Sequence, residues 1–129
     1  MTLGESMIFA AVVLYLVTVA PVKAVGCKTF HNSNPRDPTF YKPGVASRAL
    51  GAHLNGIETF PFFALSVILA EFRHQPLLWI DQLAVGFVVV ALLFVVADLS
   101  NRPTLRTLMW NVGLGVNSAI FFMPRWGHQ

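Results

Sequence analysis

The sequence has few charged residues and a single cysteine. Only 12% of its 129 residues are charged, about half the fraction of an average soluble protein. Cysteine occurs once, as Cys27, which excludes an internal disulfide and argues against a cysteine-based metal site. No glycine-rich phosphate loop, nucleophile elbow or nucleic-acid motif is present. These absences argue against a soluble enzyme domain and against nucleic acid as a partner.

Apolar residues make up more than half of the sequence. The chain is 55% hydrophobic, with a mean hydropathy of +0.62, and has apolar runs at about 4–25, 45–72, 77–97 and 103–123. A helix needs about 20 residues to cross a bilayer, so there is room for four spans and little else. We predict one all-α domain, an integral membrane four-helix bundle in the lipid bilayer.

The first run has two other interpretations. A signal peptide would carry a basic leading region, but the only early charge is Glu5. The stretch that ends in Cys27 loosely resembles a lipoprotein cleavage box, although Lys23 stands where apolar residues are expected. We predict a membrane span. The proline-rich stretch 26–45 is predicted to be an irregular loop, either functional or a solvated connector.

The second run begins with polar residues that share one side of a helix. At about 100° per residue, Arg48, Asn55 and Glu58 fall within an arc of roughly 80°, and His53 points about 140° away from Arg48. Ionisable groups in a membrane segment normally face a bundle interior or a wet cavity. We therefore predict the functional site on this arc. Pro61 is predicted to kink the helix and open space for a ligand.

A second polar and small-residue stripe follows the fourth run. By the same arithmetic its members lie within about 40° of Arg106. They are Arg102, Arg106, Trp110, Gly113 and Asn117.

Basic residues are concentrated in the first and third connections and at the span ends beside them. These are Lys23, Lys28, Arg36, Lys42, Arg48, Arg102 and Arg106. The second connection and the termini contain only Arg73 and Arg125. Because lysine and arginine favour cytoplasmic loops, both termini are predicted to lie outside the cytoplasm.

Two arginines, an asparagine and a glutamate at one interface can bind a small zwitterionic anion. Arginine binds carboxylates through two parallel hydrogen bonds, and a glutamate can receive an ammonium group. The alternative is a structural ion pair, Arg48–Glu58 or Arg106–Glu58, that holds helices together. No metal or haem site is predicted, because every histidine except His53 lies in a loop or the tail.

Motifs in the second and fourth runs resemble those of a known family. The pattern Arg-x-x-x-Ala-His-x-Asn-x-x-Glu over 48–58, followed by an aromatic-Pro-Phe turn, resembles the second-helix signature of the MAPEG family. These are the membrane-associated proteins of eicosanoid and glutathione metabolism. Residues 102–110 are similar to the family's fourth-helix pattern Arg-x-x-x-Arg-Ser-x-x-Tyr. The resemblance covers essentially the whole chain.

The resemblance implies a homotrimer with glutathione held between subunits, and a glutathione-dependent transferase or peroxidase acting on a lipophilic substrate. The family's thiolate-stabilising arginine corresponds to Arg106. By the same match, the residues expected to bind glutathione are Arg48, His53, Asn55, Glu58, Arg102, Thr107 and Trp110. The expected location is a bacterial-type inner membrane.

Three departures from the family pattern keep a second interpretation open. Gly51 replaces an arginine that commonly precedes the Ala-His pair, and Trp110 replaces a tyrosine and so lacks its hydroxyl. The third run lacks the Arg-x-x-His or Arg-x-x-Tyr pattern of several members. A non-catalytic structural or accessory subunit is therefore the alternative. A small multidrug exporter would need a carboxylate in the core of the first run, which has none.

Overall fold

The computed structural model describes residues 1–25, 33–34 and 44–126, and its regular elements there are all helices. Most of the predicted loop at 26–45 lies outside the described residues, as do Cys27, His31 and His128. The helices are α1 (Leu3–Val25), α2 (Gly44–Phe72), α3 (Leu77–Leu99), α4 (Pro103–Phe121) and α5 (Met123–Trp126).

Two short turns of similar construction make α2, α3 and α4 consecutive antiparallel neighbours. His74 and Asn101 each adopt a positive φ, at 55° and 57°, just after a helix ends. The next N–H then bonds back across the helix terminus, from Gln75 to the Ala70 carbonyl and from Arg102 to the Ala97 carbonyl. This 6→1 bond satisfies a carbonyl that the helix leaves free. A proline follows each turn and opens the next helix.

The core is built from small, aliphatic and aromatic side chains of all five helices. The rings of Phe63 and Phe87 stack with centroids 4.1 Å apart, and Tyr15 of α1 is buried beside them. The Tyr15 ring lies against Gly56 of α2, where an added Cβ would overlap it. Small residues at such contacts let membrane helices approach closely.

Three helices are long and apolar enough to cross a bilayer, namely α1 over Leu3–Ala20, α2 and α3. Large apolar side chains such as Phe9, Ile68 and Leu92 point outward from them, as expected for a lipid-facing surface. The 19-residue α4 is more polar, because it carries an arginine and two asparagines. The predicted fourth span at 103–123 stays a prediction.

The bundle has two chemically different ends. At the first, which we call the Arg106 end, α2 and α4 begin and α3 finishes. At the second, the Glu71 end, the start of α1 meets the α2–α3 turn. There the Thr2 hydroxyl donates to the Glu71 carboxylate, and the backbone N–H of Gly4 donates to Asp81 Oδ1 at 2.8 Å.

The chain returns to the Glu71 end through α5. The predicted fourth run, 103–123, contains α4, which ends at Phe121, and the start of α5, in which Pro124 is the second residue, where a missing N–H is tolerated. The indole N–H of Trp126 donates to the Ala119 carbonyl at 2.9 Å. Its ring meets Trp79 edge to face, with centroids 5.9 Å apart.

Candidate functional site

A polar recess of about 300 Å³ opens at the Arg106 end, between α2, α3 and α4. We call it the polar recess. Its lining residues are Gly51, Asn55, Phe94, Asp98, Arg106, Thr107 and Trp110.

An ion pair occupies one wall of this recess. Arg106 Nη1 lies 3.3 Å from Asp98 Oδ1, and the Asp98 side chain is only 7% exposed, against 43% for Arg106. The tight α3–α4 turn brings the two residues together, because Asp98 is one of the last residues of α3 and Arg106 lies in the first turn of α4. The recess therefore contains one buried negative charge and one accessible positive charge.

A second cavity, of about 150 Å³, lies beside the recess, toward the centre of the bundle. Asn55, Phe94 and Trp110 line both spaces, so the two are adjacent. The walls of this apolar cavity are mostly aromatic and aliphatic. Examples are Phe62, Phe87, Val90, Met109 and Leu114.

A few polar groups break the apolar lining. Tyr15, Glu58, Thr59 and Asn117 all line this cavity. Asn117 is 2% exposed, and its Oδ1 atom has no hydrogen-bond donor in the described part of the chain. An apolar pocket with a small number of polar groups is the usual form of a small-molecule site.

Several of the predicted site residues come together here. Asn55, Arg106, Thr107 and Trp110 line the recess, and Glu58 lines the apolar cavity from a largely exposed position on α2.

Three predicted residues are placed elsewhere. Arg48 is half-buried near the start of α2, where its Nη1 lies 3.2 Å from the position of a Cβ on Gly44. His53 faces α1, and its Nδ1 is 2.6 Å from the Tyr15 carbonyl oxygen. Since a carbonyl only accepts, this nitrogen is the donor. Arg102 is exposed and lies outside the recess lining.

The ion pairs weighed from the sequence are replaced by another. Among the described residues, neither Arg48 nor Arg106 pairs with Glu58, and the salt bridge found there is Arg106–Asp98. The sequence analysis did not identify Asp98 as a site residue. A signal was available, since Asp98 is the one carboxylate near the Arg106 end of that run.

A family model supplies the identification. The model of the MAPEG family matches residues 4–126. The chain belongs to the MAPEG family. With three helices able to span a bilayer, it is an all-α integral membrane protein. Membership supports a membrane-bound, glutathione-related transferase, peroxidase or related function in general. No curated protein and no solved structure matched the chain.

The described residues contain no group of three histidine, cysteine, aspartate or glutamate side chains that could hold a metal ion. The recess and the apolar cavity instead offer one cation, two carboxylates (Asp98 and Glu58), two amides, three hydroxyls and an indole beside aromatic walls. This set suits an organic ligand with a charged end and an apolar body.

Proposed function

We propose that this MAPEG-family protein is a membrane-bound glutathione-dependent transferase or peroxidase acting on a lipophilic substrate. The observation that carries the proposal is that the polar recess and the apolar cavity lie side by side and share three lining residues. A hydrophilic thiol and an apolar molecule from the bilayer can meet where Asn55, Phe94 and Trp110 line both.

In this proposal Arg106 is the catalytic residue. Its guanidinium is accessible from the recess, and a preorganised cation stabilises a thiolate more strongly in a site shielded from water. Thr107 and Trp110, on the same side of α4, offer a hydroxyl and an indole N–H for further hydrogen bonds. Asn55 faces them from α2 and can bond an amide of glutathione.

Three of the other residues expected to bind glutathione fit a site that a neighbouring subunit completes, whereas His53 faces α1 of its own subunit. Glu58 is largely exposed and has no ion-pair partner in the described part of the chain. A carboxylate in a membrane segment normally faces protein or a wet cavity rather than lipid. Arg102 and Arg48 also lie outside the recess of one subunit. We therefore propose a homotrimer, in which these side chains approach glutathione across subunit boundaries.

One observation favours a second candidate, a non-catalytic structural or accessory subunit. The Asp98 carboxylate already contacts Arg106 at 3.3 Å, so part of the field of the guanidinium is neutralised before any thiolate binds. Gly51 and Trp110 remove one cation and one hydroxyl from the family pattern. In that case the Arg106–Asp98 pair serves only to join α3 to α4.

Glutathione titration of the Arg106→Ala variant tests the first candidate. We expect wild-type protein to bind glutathione saturably and to develop thiolate absorbance near neutral pH. Removing the cation should lower turnover by about 10²–10³-fold, by analogy with the loss of an oxyanion donor. The matched control is Arg125→Ala, an exposed arginine beyond the far end of α4, which should behave as wild type.

The melting temperature of the same variants separates the two candidates. If Arg106→Ala destabilises the protein while wild type binds no glutathione at any concentration, the enzyme proposal is wrong and the accessory role is favoured.

A further inference from the structure

Asp98 has an acceptor that its ion pair leaves free. Arg106 contacts Oδ1, whereas Oδ2 accepts no hydrogen bond from the described residues. This second oxygen faces the recess opposite Gly51, where a Cβ would lie 3.9 Å from it. With only 7% of the side chain exposed, water has limited access to the carboxylate.

Among the described residues, Arg106 is the one hydrogen-bond partner of this carboxylate. Charge-assisted N–H···O bonds are usually about 2.7–2.9 Å long, and the single contact to Arg106 measures 3.3 Å. A carboxylate can accept about four hydrogen bonds, and Asp98 accepts one from the described residues. The free oxygen therefore favours a ligand that brings a donor, and favours a positively charged donor most.

The recess around Asp98 has the space and the charge balance for such a ligand. Gly51 contributes no side chain to the wall nearest Oδ2, so that wall remains open. Arg106 and Asp98 contribute opposite charges, and the other lining residues are neutral. A purely anionic ligand would gain from Arg106 and be repelled by Asp98, whereas a zwitterion can use both.

We propose that Asp98 binds the ammonium group of the ligand, and that the recess selects molecules in which an ammonium adjoins an anionic group. The sequence alone suggested Glu58 as the carboxylate that binds an ammonium group; we now propose Asp98 for that contact. The inference rests on the proposed function where it takes the ligand to be a thiol. The contact between Asp98 and an ammonium group does not depend on that function.

Binding of paired ligands to the full-length protein in phosphatidylcholine nanodiscs tests this contact. The first set is glutathione with its N-acetyl and N-methyl derivatives, and the second is S-hexylcysteine with the same two derivatives. Acetylation removes the ammonium charge, whereas methylation adds bulk and keeps it. We expect acetylation to weaken binding by about ten- to a hundredfold and methylation to have a much smaller effect.

The Asp98→Asn variant should lower affinity for the ammonium ligands by a similar factor and leave the acetylated ones nearly unchanged. Gln82→Ala, an exposed position on the same helix at the far end, is the control. If wild type binds acetylated and free-amine ligands equally, the inference is overturned even if Asp98→Asn fails to fold.

The two ligand sets separate this inference from the proposed function. Ammonium-dependent binding of S-hexylcysteine without any binding of glutathione would reject the glutathione proposal and keep the role of Asp98. Glutathione binding that ignores acetylation would do the reverse, and absence of binding by both sets would reject both. Replacing phosphatidylcholine by phosphatidylethanolamine tests whether the ammonium group comes from a lipid. If phosphatidylethanolamine weakens binding of the soluble ligands, Asp98 binds the ammonium of the lipid headgroup.

Discussion

Gly56 makes room for an aromatic ring between two helices. The Tyr15 ring of α1 lies where a Cβ on Gly56 would be, and the nearest ring atoms are Cγ, Cδ1 and Cε1. Tyr15 belongs to the buried core, and the overlap includes Cγ, the ring atom closest to its own backbone. A methyl group at this position would therefore separate α1 from α2.

We expect Gly56→Ala to destabilise the protein by about 1–3 kcal/mol, the usual cost of overpacking a filled core. Gly86→Ala is the matched control, because Gly86 is also helical and has no atom within 4 Å of an added Cβ. Thermal unfolding in mild detergent measures both. Equal melting temperatures for the two variants would contradict the close contact.

His53 illustrates what a residue's position along one helix leaves open. Helical arithmetic separated it from Arg48 by about 140°, and it does point away from the recess, toward the Tyr15 carbonyl. Helical periodicity does not determine which helix His53 contacts, because that depends on how α1 packs against α2. The packing of one subunit therefore does not support a contact between His53 and glutathione.

At the scale of elements, periodicity within one helix was predictable and contacts between helices were not. Arg106, Trp110, Gly113 and Asn117 do share the side of α4 that lines the recess and the apolar cavity. Arg102 departs from the stripe because it is the N-cap, with φ −112° and ψ 81°, so 100° steps do not apply to it. The pairing of Asp98 was not predictable from one helix, because its partner Arg106 lies on the next helix.

The start of α1 provides a prediction about a helix rather than a site. The first N–H groups of a helix lack internal partners, and here the Asp81 carboxylate of α3 accepts from Gly4. We expect Asp81→Ala to cost about 1 kcal/mol or more and to speed hydrogen exchange in the first turn of α1. Gln82→Ala should change neither, and unchanged exchange in Asp81→Ala would show that the cap is dispensable.

At the scale of the whole molecule, the exposed Glu58 and the polar residues of α4 predict an assembly. Thr104, Thr107 and Asn111 are exposed on a helix that is predicted to cross the membrane, and lipid is a poor environment for them. We expect a mass of three subunits in mild detergent, measured by native mass spectrometry. A stable monomer under those conditions would remove the basis for a site completed across subunits.

Topology is predicted from the basic residues. We expect both termini outside the cytoplasm of a bacterial-type inner membrane, with the Arg106 end inside. Reporters active only outside the cytoplasm should therefore work when fused before Met1 or after Gln129, and fail when inserted at Asn34. Termini on opposite sides would mean an odd number of crossings, and would favour a bundle in which only α1, α2 and α3 cross the membrane.

The cap on α1 also has a consequence for the order of events during synthesis. Gly4 and Asp81 are 77 positions apart in the chain, so α1 is made and can enter the bilayer long before its acceptor exists. The Glu5 N–H can already bond to the Thr2 hydroxyl within the first turn, but the Gly4 N–H must meanwhile bond to water or lipid headgroups. Docking of Thr2 and Gly4 onto Glu71 and Asp81 can occur only after the α2–α3 hairpin has formed. Protection of the chain's first residues from a protease would therefore time the completion of that hairpin on the ribosome.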